Sequence, residues 1–379
     1  MFYLTVRKKE QPFYWRGITN SLALLVMLGL LLSACVSQKE PVASPETGAG
    51  ISPEQQIQEI PIIDIPLAGP LSTAKAEISG MAWYGEHVFL LPQYPNRFRD
   101  DEGNDQLFYI PKAAILSFLG AESTDSATAI LPSPVPLHYS GKSPAEQIAG
   151  FQGYEALAFV ENRVFLLVEA RYEDGMTGYV VQGEIEPDLS QITITGPISP
   201  RIPPQSEIGN MSYESLLVLP ENQLLILYEA NGAQVNSTPF GQVFDGSLQP
   251  VHTMTLATVE YRMTDATTLD ATGRFWAINT FWTGDKALST TSDPIAGQFG
   301  RGKTHAESRA VERLIELEIT GTEIALSGTP PIQLQLDLET GTRNWEGLVR
   351  FHDQNGEYEG FLLVTDQHPS TMLGFVAYP

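Results

Sequence analysis

The sequence holds a single cysteine, Cys35, among 379 residues. One thiol excludes an intrachain disulfide, a cysteine-cluster zinc site and a CxxC redox centre. Positive charge is scarce as well: 22 Lys and Arg stand against 45 Asp and Glu, a net charge of −23. A chain this acidic is repelled by phosphate backbones, which excludes nucleic acid as a partner. The six histidines show no HExxH or paired zinc spacing, and no Gly-x-Ser-x-Gly elbow is present to carry a serine nucleophile. His87, His138 and His252 fall in strand-like runs and read as structural. The run from Gly297 to Lys303 continues into Thr304, but it lies in a polar insertion and not between a strand and a helix, so it is no phosphate-binding loop.

What is present begins with an address. Arg7, Lys8, Lys9 and Arg16 precede an apolar run from Leu22 to Leu32. At 11 residues that run is too short for the ~20 of a membrane-spanning helix, and it suits the hydrophobic region of a signal peptide. It ends in Leu32-Ser33-Ala34-Cys35, which resembles the bacterial lipobox. That resemblance implies cleavage before Cys35 and lipidation of its thiol. Residues 1–34 are therefore expected to be a signal peptide and residues 35–58, rich in Pro, Ser, Gln and Glu, a lipidated flexible tether. The expected setting is extracytoplasmic, anchored through Cys35 to the lipid bilayer of a bacterial cell envelope.

The chain is 42% hydrophobic, and its 32 Gly and 27 Pro are spread along it, a pattern of short strands and many turns that residues 59–379 share. One motif occurs five times: a small or acidic residue, a small residue, an apolar run, a turn, and a second apolar run ending in a polar residue. Its copies begin at Ser79, Glu155, Glu214, Asp265 and Glu346, and end at Gln93, Glu169, Glu229, Asn279 and Asp366. Further strand-like runs follow each copy, with Gln191–Thr195 and Ile332–Leu338 expected as outermost strands. Repeated four-stranded antiparallel units predict an all-β, five-bladed β-propeller. The spacings of 76, 59, 51 and 81 residues put insertions at 139–153 and 283–307 and not a sixth blade. Two stacked β-sandwiches leave the fivefold motif unexplained. The extended segment Ile60–Pro66, with Pro at both flanks, is placed as the outermost strand that closes the ring.

The first strand of a propeller blade lines the central channel, so Ser79, Glu155, Glu214, Asp265 and Glu346 are expected to form a ring. Four like charges around one axis require protons or a cation. Calcium, which takes ~6–8 oxygen ligands in flexible geometry, is the expected guest of those five residues. A wet channel without metal is the plainer alternative, as is a metal that only ties blades together.

Asn344-Trp345-Glu346-Gly347-Leu348 with Leu362 to Asp366, and Tyr154-Glu155-Ala156-Leu157-Ala158, resemble motifs of the phytase-like (esterase-like) propeller family. The ring order is also similar to that of calcium-activated nucleotidases, although Asp265 stands where those have Ser. The resemblance implies calcium-dependent hydrolysis of phosphate esters or anhydrides. Glu346 and Asp366 would orient water, and Arg97, Arg171, Arg262, Arg343 and His368 would bind a phosphorylated small molecule. The other reading is a non-catalytic ligand- or protein-binding propeller scaffold with a structural calcium.

Overall fold

The structure is a computed structural model that describes residues 57–121, 128–339, 341–367 and 370–379. Its second strands are apolar at nearly every position, as in Val88–Leu91, Val164–Val168 and Leu224–Tyr228. A strand can bury both faces only when a sheet packs on each side of it, and the clusters of buried side chains show that arrangement. Phe89 and Leu91 pack with Val164 and Leu166, whereas Val88 and Leu90, pointing the other way, pack with Leu362 and Val364. Leu224 and Ile226 face Phe165 and Leu167, while Leu225 and Leu227 face Phe275 and Ala277. Trp276 and Ile278 then meet Phe361 and Leu363. Five interfaces close a circle, so the described residues form a five-bladed propeller.

Blade 1 consists of Ile78–Tyr84, His87–Pro92, Asp105–Pro111 and Ser133–Tyr139. Blade 2 is Phe151–Val160, Arg163–Tyr172, Gly175–Ile185 and Ile192–Ile198. Blade 3 is Tyr213–Val218, Leu224–Tyr228, Phe240–Phe244 and Pro250–Leu256. Blade 4 is Tyr261–Ala266, Arg274–Phe281, Val311–Thr320 and Glu323–Leu326. Blade 5 takes Trp345–His352, Glu359–Thr365 and Leu373–Ala377, and its outer strand is Ile63–Ile65 from the far end of the sequence. Ile63 pairs with Phe375 and Ile65 with Leu373, antiparallel. The expected closure is thus present. Upstream of that strand, Ile60 exchanges backbone hydrogen bonds with Gln333 and Gln335. Glu59 accepts from the backbone N–H groups of Thr304 and His305, from Thr304 Oγ1 (2.8 Å) and from His305 Nδ1 (2.8 Å).

One outer strand differs from expectation. The fourth strand of blade 4 is Glu323–Leu326 and not Ile332–Leu338, of which Ile332–Gln333 makes a short pair with Leu314 and Arg313. The reason is local: Gly321, at φ +62°, lets the chain reverse within a two-residue turn, so Glu323 pairs at once with Thr320. Apart from Tyr139 and residues 151–153, which belong to strands of blades 1 and 2, the two insertions carry no propeller strand; they hold the short helices Pro144–Gln147, Pro294–Phe299 and Lys303–Glu307. No helix among the described residues is long and apolar enough to cross a membrane. Cys35 and the proposed tether up to residue 56 lie outside the described residues.

Candidate functional site

In every blade the pairing of first and second strand slips at the ring position. The ladder skips Ser79, Glu155, Glu214 and Glu346, and in blade 4 it skips Thr264 and Asp265 together. A bulge residue is released from the ladder and its side chain is re-aimed. The backbone thereby frees five polar side chains near the axis. Two residues further on, Met81, Leu157, Leu216 and Leu348 return to the normal alternation and are at most 5% exposed. They floor the polar layer with an apolar one, beside a void of only about 50 Å³.

The five residues do not act as one ring. Ser79 Oγ donates to the Tyr154 carbonyl (2.6 Å), tying blade 1 to blade 2. Asp265 accepts from the backbone N–H groups of Leu348 (2.7 Å) and Ala266 (2.8 Å), a clasp between blades 4 and 5. Glu155 and Glu169 share one donor, Gln93 Nε2, at 2.9 and 3.4 Å. Glu214, Glu229 and Glu346 gather instead around Arg262. Its Nε donates to Glu229 (2.5 Å), its Nη2 to Glu214 (3.2 Å) and Glu346 (3.2 Å), and its Nη1 to Asn344 Oδ1 (3.0 Å). Asn344 Nδ2 donates to Glu346 (2.6 Å) and reaches Asp366 Oδ2 at 3.3 Å. Asp366 Oδ1 is buried and has no hydrogen-bond partner among the described residues. Asn279, expected in the second ring, turns away and accepts from Arg313 Nε (2.7 Å).

Burial governs the protonation of this layer. It pushes Glu155 well above the usual carboxylate range, with Glu169 and Glu346 adding repulsion. Burial, with Glu229 and Glu346, raises Glu169 to about 7. Burial raises Glu214 well above its ordinary value, and Glu229 adds to it. Burial raises Glu346 too, against the pull of Arg262. Asp366 is pushed up to about 8 by burial, then by Glu346 and Glu77. Asp265 is raised well above its ordinary value by burial in spite of its two backbone donors. Arg262 loses hydration on burial, but Glu229, Glu214 and Glu346 outweigh that and hold it firmly charged. The layer therefore contains protonated and ionised carboxyls side by side.

Above the layer, on the face where loops of blades 3, 4 and 5 meet, lies a cavity of about 560 Å³. Its wall includes Arg262, Asn344, Asn210, Gln367, Asp285 and the 57%-exposed Trp282. That volume is within the ~300–1,000 Å³ of small-molecule sites. Trp282 and Asp285 were not singled out by sequence reasoning; their only signal is position, at the start of the blade 4 insertion.

Two expectations need correcting. The five expected calcium ligands do not converge, since Ser79 and Asp265 are committed to the backbone. A guanidinium occupies the space among the glutamates, and among the described residues no group of three or more His, Cys, Asp or Glu side chains is arranged to hold a metal. The phosphate reading also fails on charge. Arg97 pairs with Glu77 and lies over the Tyr94 ring. Arg171 donates to Gly209 O (2.6 Å) and Asn210 (3.2 Å). Arg343 is buried against Glu312 (2.8 Å), and Arg262 is outnumbered by glutamates. None is left to receive a phosphate. His368 lies outside the described residues.

No protein-family model matches the chain, and no curated protein matches it. Solved structures of similar shape include glycoside hydrolases and a hydrazine synthase from Kuenenia stuttgartiensis. The GH43 endo-arabinanase from Bacillus licheniformis has a TM-score of 0.45 at 10% identity, over 82% of this chain and 96% of that one. An α-L-arabinofuranosidase from Podospora anserina has a TM-score of 0.43 at 9% identity, over 85% and 96%. The GH62 α-L-arabinofuranosidase catalytic domain from Coprinopsis cinerea has a TM-score of 0.40 at 10% identity, over 84% and 97%. The expected phytase-like membership and phosphohydrolase activity are set aside because Arg97, Arg171, Arg262 and Arg343 are all committed within the fold. What these likenesses share with this chain is its overall shape.

Proposed function

We propose that the protein is a hydrolase of glycosidic bonds that works by acid–base chemistry between carboxyl groups at the channel mouth. The observation that carries this reading is Asp366: a raised carboxyl with one buried oxygen that has no partner among the described residues, bridged through Asn344 to a second carboxyl, Glu346. A protonated acid whose hydroxyl has no acceptor is ready to donate to a substrate oxygen. Glycoside cleavage asks for this pairing, one carboxylic acid for the leaving oxygen and one carboxylate for the other side of the bond.

The cavity suits such a substrate. The Trp282 ring offers a flat apolar face of the kind a sugar stacks on, and Asn210, Asn344 and Gln367 offer amides that donate to and accept from hydroxyls. An uncharged polyol needs no free cation, and the two arginines among the described residues that line the cavity, Arg262 and Arg343, are both paired with glutamates. In the proposed reaction Asp366 gives its proton to the departing oxygen as the glycosidic C–O bond breaks. Glu346, whose carboxylate form Arg262 favours against the effect of burial, takes the proton of the water that adds to the sugar carbon. Asn344 holds the two carboxyls at a fixed separation, and Glu229 holds Arg262.

The test is hydrolysis of an aryl-glycoside panel together with arabinan and xylan by the wild-type protein, Asp366→Asn and Glu346→Gln. Activity abolished by either substitution supports the reading; a folded wild-type protein inert on every glycoside sinks it. We also propose that Cys35 anchors the propeller outside the cytoplasm. Incorporation of an alkyne-labelled fatty acid that disappears in Cys35→Ala would support this, and an unlabelled wild type would refute it.

A further inference from the structure

The layer of channel carboxyls holds one cation, and that cation is part of the chain. We infer that Arg262 is the resident cation of the channel, standing where a divalent ion would otherwise sit, and that removing its side chain turns the surrounding oxygens into a divalent-cation site. This inference is independent of the reaction proposed above.

The geometry supports it in three respects. First, the guanidinium is met by oxygens from two other blades: Glu229 Oε2 at 2.5 Å, Glu214 Oε1 and Oε2 at 3.2 and 3.3 Å, Glu346 Oε1 at 3.2 Å and Asn344 Oδ1 at 3.0 Å. Carboxylates mixed with a neutral carbonyl are the donor set a hard cation takes. Second, none of these oxygens belongs to an exposed side chain: Arg262 is 13% exposed, Glu214 11%, Glu229 2% and Glu346 10%. Buried carboxylates gathered this closely need a counter-charge. Third, the place is fixed from behind. Asn279 Nδ2 donates to the Arg262 carbonyl at 3.0 Å, and Asn279 Oδ1 in turn accepts from Arg313, which is paired with Asp293 at 2.9 Å.

A covalently attached cation differs from a bound one in a way that can be measured. It cannot be chelated, it needs no supply of metal, and it occupies only the directions of its planar fork. Replacing it by a methyl group would leave Glu214, Glu229 and Glu346 facing an emptied space with oxygen ligands on two sides.

The experiment is thermal melting and calorimetric titration of the full chain with calcium chloride and with chelator, for wild type, Arg262→Ala and Arg262→Lys. The wild-type melting temperature is expected to be the same in calcium and chelator, with no heat of binding. Arg262→Ala is expected to melt roughly 5–10 °C lower in chelator, to regain at least half of that loss in calcium, and to bind one ion. Arg262→Lys, which keeps a charge but loses the fork, is expected to be destabilised without responding to calcium. A calcium-dependent rise in the wild type that Glu346→Gln abolishes would overturn the inference. So would a folded Arg262→Ala that ignores calcium. Should Arg262→Ala fold only when calcium is supplied, the inference is supported; should it fail to fold in calcium as well, it is overturned.

Discussion

The two sides of the channel solve one electrostatic problem differently. Toward blades 3 and 5, three buried glutamates share Arg262. Toward blade 2, Glu155 and Glu169 form no ion pair among the described residues and share the Gln93 amide between them. Burial raises carboxyls on both sides, so desolvation is common to the two. What differs is that one side has a guanidinium in addition to protons, whereas the other relies on protons alone. A proton is available for chemistry and responds to pH; a guanidinium does neither. Asp366 belongs with the proton-neutralised group, yet it is linked through Asn344 to the cation-neutralised one. A site poised between these regimes can hold acid and base together.

The largest expected effect separates the sides by function. Asp366→Asn should lower kcat/KM on a cleaved glycoside by about 10²–10⁴-fold, whereas Glu155→Gln, deep on the blade 2 side, should change it by less than about tenfold, roughly 1.4 kcal/mol. Equal losses would erase the distinction.

Next comes stability against pH. Glu169 titrates near 7 in the fold against 4.5 for the free group. A raised carboxyl favours folding only while protonated, so its contribution is complete below pH 4.5 and is lost as pH rises through 7. The shift corresponds to roughly 3 kcal/mol. Urea unfolding at pH 5 and pH 8 should therefore show Glu169→Gln more stable than wild type at pH 8 and close to it at pH 5. A variant weaker than wild type at both pH values would refute proton neutralisation.

The matching change on the other side should have the opposite sign. Glu229→Gln removes a carboxylate from Arg262 and weakens the acceptor for the Ser212 N–H, which lies 2.9 Å from Glu229 Oε1. It should destabilise by about 2 kcal/mol at pH 8 in the same urea titration. Stabilisation there would mean that the glutamates around Arg262 are too many and not too few. The smallest effect is expected at the rim. Trp282→Ala should raise KM by a few fold, about 1 kcal/mol, without moving the melting temperature; an unchanged KM would move the substrate away from that ring.

Sequence reasoning reached the propeller because its signal is repeated. Second strands buried on both faces must be continuously apolar, and five copies of one motif leave little freedom in the count. The closing strand was legible because Pro61 and Pro66 confine the segment to a sheet edge. The acids were visible too, and so was their need for protons or a cation. The identity of that cation was not, because an isolated arginine in an inner strand has no pattern. Bulges are equally silent: nothing in Glu214 or Glu346 announces that the ladder skips it. The short motifs that resembled phytase-like proteins are largely what any blade needs, a polar channel residue, a small residue and an apolar run. They could therefore mark the architecture without marking the chemistry. In this chain Asn344 and Glu346 of that motif are spent on Arg262.

The strand Ile63–Ile65 is made early in synthesis, but its partner, Leu373–Ala377, comes near the end. During translation the early strand has no sheet to join, and blades 1 to 4 must assemble beside an open gap. Until the gap closes, Phe361, Leu363 and Trp276 lack part of their packing, so ring closure is expected to be the step most exposed to misassembly. The prolines flanking the waiting strand deny donors to a stray partner. The contacts of Glu59 with Thr304 and His305 give it a first foothold on blade 4 before blade 5 exists. The propeller thus carries its own clasp, half-fastened ahead of the last blade.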